Sequence, residues 1–160
     1  MEWAVTMPMI TILLGLVANA EWVTILGAVG ANIIQNFAMY IGAISVLSEV
    51  KWMWFIITLA GLAGVLLHLS KVFKSAADAK GGAAAELFTK VCWITCILWA
   101  CYPVVWLFSE GFGSFSVSFE VTVYALLDVL NKVLLCFLIL GGVDALDGGN
   151  EVSEDNEMAQ

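Results

Sequence analysis

Five apolar stretches, near residues 3–20, 22–47, 50–70, 87–108 and 118–142, constrain this chain more than any other feature. Each is long enough to cross about 30 Å of hydrocarbon at about 1.5 Å per residue. Backbone N–H and C=O groups find no water partner inside lipid, so a spanning segment is either a helix or a strand of a closed barrel. Barrel strands would read as alternating segments of about ten residues, whereas these runs are unbroken. Composition agrees, since 62% hydrophobic and 12% charged residues lie outside the range of an ordinary soluble domain. The sequence predicts an all-α membrane protein of five transmembrane helices over residues 1–142, followed by an acidic, disordered tail over 143–160.

The basic residues set the topology. There is no arginine, and Lys71, Lys74, Lys80 and Lys90 lie in or beside the connection between spans three and four. The positive-inside bias places that connection in the cytoplasm, which puts the N-terminus outside and the tail inside. The first span opens at Glu2 with no signal ahead of it, so the chain reads as truncated at its start. The net charge of −8 is concentrated in the tail and gives no reason to expect nucleic acid as a partner. Cys92, Cys96, Cys101 and Cys136 all fall within spans and read as small packing residues, and their spacing is not that of a metal or redox motif.

Along the chain, Ala20 and Glu21 leave room only for a tight turn, making the first two spans antiparallel neighbours. Gly27, Gly30, Ala31, Gly42 and Ala43 allow close helix contact in span two, and Asn32, Gln35 and Asn36 need hydrogen-bond partners across the bundle. Trp52 and Trp54 suit an interfacial belt, and His68 suits the cytoplasmic rim. The segment from Lys74 to Glu86 reads as a flexible connection, and Ser109 to Ser118 as a short hairpin over the bundle mouth.

Two charged side chains sit deep in the last span, Asp128 and Lys132, four residues apart and so on one helix face. A lysine at the bilayer centre costs about 2.5 to 3.5 kcal/mol even on the mild insertion scale, which makes it a functional candidate. A buried amine that loses its proton can condense with an aldehyde, while the alternative is a structural ion pair facing the bundle interior. Trp99, Tyr102 and Trp106 recur at helical spacing on span four, with Pro103 beside them. Such a stripe alone reads as packing. Combined with the buried pair and an acid on span one, it suits a flat, conjugated, apolar ligand carrying one aldehyde.

At this point the sequence resembles the microbial, or type 1, rhodopsins. The matching segments are EWAVTMP at Glu2 to Pro8, WACYPVVW at Trp99 to Trp106, SEGFG at Ser109 to Gly113 and FEVTVYALLDVLNK at Phe119 to Lys132. The resemblance implies the last five helices, C to G, of a seven-helix bundle, with helices A and B missing or supplied by a parent chain. It implies that Lys132 carries all-trans retinal as a protonated Schiff base, with Glu2 and Asp128 as counter-ions and Glu2 as first proton acceptor. Trp3, Trp99, Tyr102, Pro103 and Trp106 would form the retinal pocket, Trp54 would lie near the ring end, and Thr6 would support the counter-ion network. At about 4 Å and an effective dielectric near 20, one such counter-ion attracts the cation by about 4 kcal/mol.

Glu110 and Glu120 match the paired carboxylates that the family uses to release a proton outside, and they also read as a solvated loop acid and a helix-terminus acid. The departures bear on function. Where the bacteriorhodopsin pattern has a proton-donating acid, eleven residues after the counter-ion, this chain has Leu13, so reprotonation should be slow. Asn32 replaces an acid found in some relatives. Glu2 as counter-ion is reminiscent of channelrhodopsins, and Asn131 of proteorhodopsins. Light-driven ion transport, most simply of protons, is the leading expectation; a light-gated channel, a photosensor and a chromophore-free membrane subunit are the alternatives, and none of them is an enzyme. The expected surroundings are a lipid bilayer, and a homo-oligomer is left open.

Overall fold

A computed structural model describes residues 2–142, and the tail expected over 143–160 lies outside the described residues. Five helical rods follow one another: α1 Trp3–Val17, α2 Trp22–Ile44, α3 Ser48–Lys80, α4 Gly82–Gly111 and α5 Val117–Gly142. No strand occurs among the described residues. Rods α2 to α5 are 23 to 33 residues long and apolar enough to cross a membrane. The first rod is shorter than its apolar run, since 15 residues reach only about 22 Å.

Its lower end is set by Asn19, whose φ of 55° is left-handed. Asparagine tolerates that region, and the chain closes there with Ala20 N–H bonded to the Gly15 carbonyl at 2.9 Å. The tight turn expected at Ala20 and Glu21 follows.

Two connections differ from expectation. Lys74 to Lys80 is helical and continues α3, because its alanines are strong helix formers. The reversal is confined to Gly81 and Gly82, both at positive φ (74° and 58°), where a side chain would be strained. His68 is therefore not at a helix end, since α3 runs about 18 Å beyond it. At the opposite end, Ser109 to Ser118 forms no hairpin. Helix α4 runs on to Gly111 in a widened π turn, Gly113 reverses the chain at φ 62°, and Ser116 Oγ caps α5 by accepting from Phe119 N–H.

The packing core lies where α1, α3 and α4 meet, around the fully buried Leu14, Val65, Leu69, Phe73, Phe88 and Val91. Helices α2 and α3 approach closely at Gly61, where a Cβ would stand 3.0 to 3.4 Å from the Gln35 backbone and Cβ. At Gly42 a Cβ would likewise stand 3.3 Å from the Trp106 ring. Gly27 and Gly30, expected to serve this purpose, make no such contact. Helix α5 buries only one stripe, including Asn131, Leu135 and Ile139, and exposes apolar side chains elsewhere.

Candidate functional site

Lys132 lies within a π turn, Leu130–Leu134, of α5. Such bulges shift the side-chain register by one position and recur at functional sites. Its Nζ forms ion pairs with Glu2 Oε1 from α1 and, at 3.3 Å, with Asp128 Oδ2 one turn back on α5. The amine and both acids singled out in the sequence thus form one cluster.

The two carboxylates are held differently. Asp128 accepts from Trp3 Nε1 at 2.9 and 3.1 Å and from the Tyr102 hydroxyl at 2.6 Å. Bonds to an ionised acceptor are worth about 1.5 to 3 kcal/mol each, so this carboxylate is held in place by donors from two other helices. Glu2 has Lys132 as the sole side-chain partner of its carboxylate among the described residues. Thr6, expected to support the acids, instead donates to the Glu2 backbone carbonyl at 3.2 Å.

Aromatic rings surround the cluster. Trp3 meets Tyr102 edge-on at 5.4 Å and Tyr124 at 4.9 Å. Trp99, Tyr102, Pro103 and Trp106 are all buried on α4. Trp106 stacks on Phe55 at 4.6 Å and 10°, and Trp52 meets the same indole edge-on at 6.4 Å. Phe55 and Trp52, not Trp54, therefore supply the α3 ring contacts to Trp106; Trp54 is half-buried, its Cβ facing Gly42. Met39 of α2 completes the wall, a residue whose sequence position carried no signal.

Two cavities adjoin these rings and share Trp3, Asn36 and Met39. A narrow gap of about 10 Å³ separates Trp3 from Trp99, with Gln35 at its edge. A larger cavity of about 270 Å³ extends toward the Gly113 turn and is lined by Tyr40, Tyr124, Glu110 and Glu120. The two acids do share this cavity, but Glu110 is tied to Lys51, whose Nζ donates to its carbonyl at 2.9 Å and lies 3.7 Å from its carboxylate.

Polar groups of α2 behave otherwise than expected. Asn36 Nδ2 donates to the Asn32 carbonyl and side-chain oxygens at 2.8 and 2.7 Å, within the helix rather than across the bundle. Gln35 Oε1, Trp99 Nε1, Trp106 Nε1 and Asn131 Oδ1 are buried with no partner. The Leu13 position is half-buried among apolar neighbours.

A family model described as bacteriorhodopsin-like protein matches residues 1–146, and the chain belongs to that family. It is 32% identical over 140 residues to bacteriorhodopsin of Halobacterium salinarum, covering 87% of this chain and 53% of that protein. It is likewise 32% identical to halorhodopsin of Halorubrum sodomense, covering 88% of this chain and 50% of the relative. A crystal structure of a light-driven proton pump from Leptosphaeria maculans superposes with a TM-score of 0.85 at 30% identity, covering 89% of this chain and 60% of the other. The chain spans about half to three fifths of the relatives it matches. Membership implies a retinal chromophore, and the residues fit one: a single amine between two carboxylates, flat aromatic walls, and unpartnered polar atoms at their edge.

Proposed function

We propose that the protein binds all-trans retinal covalently at Lys132 Nζ and moves protons in response to light. The observation that carries this reading is the unequal holding of two carboxylates around one amine. Retinal held on Lys132 supplies absorption of visible light and a change of shape that displaces the positive charge at Nζ. Asp128, fixed by Trp3 and Tyr102, keeps its charge when the cation moves. Glu2, whose carboxylate has no donor but Lys132 among the described residues, then takes the proton from Nζ onto Oε1. Trp3, Trp99, Tyr102, Pro103 and Trp106 confine the chromophore, with Phe55 behind Trp106. Glu120 and Glu110 offer acceptors along the larger cavity, on the exit side. The lysine-rich end faces the cytoplasm on this reading, and helices A and B from a longer parent would cover the exposed face of α5.

A photosensory role is the second reading, favoured by the apolar packing around Leu13, the position where the bacteriorhodopsin pattern has a proton-donating acid. Visible spectra after adding all-trans retinal test the linkage: a red-shifted band is expected, and Lys132→Ala should abolish it. Illuminated vesicles test transport. A light-driven pH change lost in Glu2→Gln supports proton movement, whereas a band without any pH change favours the sensor.

A further inference from the structure

We infer that a groove at the lysine-rich end of the bundle binds the head group of phosphatidylethanolamine, an inference independent of the retinal reading. The groove, of about 500 Å³, lies where α3 passes the turn between α1 and α2. Its polar side chains are Glu21 and Thr24 at the start of α2 and Lys71 and Ser75 on α3. Neither Glu21 nor Lys71 forms an ion pair among the described residues, whereas Lys51, Lys74 and Lys132 each do. The Thr24 and Ser75 hydroxyls make no hydrogen bond there either. By contrast, Ser70 and Thr89 at the same end donate to the Leu66 and Ala85 carbonyls at 2.6 and 2.7 Å. Lys71 also sits in a widened π turn, His68–Phe73, a distortion that recurs at functional sites.

One cation, one anion and two hydroxyls in a single groove select a ligand that carries both charges. A purely anionic head group would be repelled by Glu21, and a purely cationic one by Lys71. Phosphoethanolamine matches both: its phosphate oxygens accept from Lys71 Nζ and the two hydroxyls, and its primary ammonium donates to the Glu21 carboxylate. The surroundings fit a lipid. Trp22, exposed beside Glu21, is a residue type of the membrane interface. Toward the bilayer centre, Leu26 of α2 and Leu67 of α3 are exposed and offer apolar surface to acyl chains, as does Val72 in the groove itself. A soluble phosphate ester would lack that second contact.

Native mass spectrometry of the full chain, released from detergent with one lipid added at a time, measures the binding. Phosphatidylethanolamine should bind more tightly than phosphatidylcholine, whose quaternary nitrogen has no N–H to donate, and than phosphatidylglycerol, which has no cation. Exposed ion pairs are modest, so Lys71→Gln and Glu21→Gln should each weaken phosphatidylethanolamine binding about fivefold. Glu21→Gln should also erase the preference over phosphatidylcholine. Lys71→Arg should retain most of the binding, and the exposed Lys80→Gln, outside the groove, should change nothing. Equal binding of the three lipids, or a preference that survives both Gln variants, overturns the inference. Tightest binding of phosphatidylglycerol, strengthened in Glu21→Gln, would assign the groove to an anionic lipid held by Lys71 alone and overturn it too. Displacement by soluble phosphoethanolamine at equal concentration would overturn the lipid assignment.

Discussion

Under the proposed function, removing the Tyr102 hydroxyl should redistribute the transferred proton between Glu2 and Asp128. In Tyr102→Phe, Asp128 loses its shortest donated bond, 2.6 Å, but keeps the Trp3 indole N–H and the Lys132 ion pair. A bond to an ionised acceptor contributes about 1.5 to 3 kcal/mol, so about 2 kcal/mol of the difference between the two carboxylates disappears. At 1.4 kcal/mol per factor of ten, the ratio of protonated Glu2 to protonated Asp128 falls about 30-fold. The phenyl ring still fills the space beside Trp3 and Tyr124, so packing changes little. Time-resolved infrared difference spectra report the outcome as carboxyl C=O bands. Wild type should show one protonated-carboxyl band after the flash, absent in Glu2→Gln; Tyr102→Phe should add a second band that Asp128→Asn removes. A single Glu2-dependent band in both proteins would refute the reasoning that hydrogen-bond donors decide which acid accepts.

Three further outcomes follow from the packing and the seal. Gly61→Val should destabilise the bundle by about 1 to 3 kcal/mol, since its Cβ would press on Gln35 backbone atoms that cannot yield, and denaturation in detergent measures this. Phe55→Ala removes the ring stacked on Trp106 and should cost about 3 to 5 kcal/mol in the same assay, whereas Trp54→Ala should cost markedly less. Leu13→Asp should accelerate recovery of the dark state after a flash at neutral pH, and an unchanged decay would remove the donor argument.

The spans were legible because hydrocarbon demands long apolar runs, and the Asp128–Lys132 pair because charge at that depth is rare. Element ends were less so. Lys74 to Lys80 reads as a linker by polarity, yet alanine favours helix, and only paired glycines at positive φ stop it. The aromatic cluster on α3 shows a second limit. Trp52, Trp54 and Phe55 lie within four residues of a helix that is apolar on most faces, so no periodic pattern says which ring turns inward. A single position changes direction by about 100°, enough to exchange Trp54 for Phe55. Asn36 escaped for a different reason, since its partner proved to be Asn32 one turn away on its own helix. The link between Lys51 and Glu110 spans 59 residues and left no local trace.

The two halves of the bundle are built from opposite materials, and this bears on directionality. Toward the Gly113 turn, Trp3 and Ala4, which follow Glu2 in the chain, line a cavity of about 270 Å³ whose walls also carry Glu110, Glu120, Tyr40 and Tyr124. Toward the lysine-rich end, Leu14, Leu69, Phe73, Phe88 and Val91 are completely buried, and the nearby hydroxyl of Thr11 is spent on the Met7 carbonyl. Under the proposed function, a proton on Glu2 has polar side chains toward that cavity and, toward the lysine-rich end, a layer that is mostly apolar among the described residues. Under the proposed function, the outward step is favoured by the geometry of the resting protein, while the return step needs that layer to open. On that reading the same asymmetry would also slow reprotonation, so that the polar half would set direction and the apolar half would set speed. Transport at high turnover would require the sealed half to admit water during each cycle, and a long-lived deprotonated state is the expected signature of its reluctance to do so.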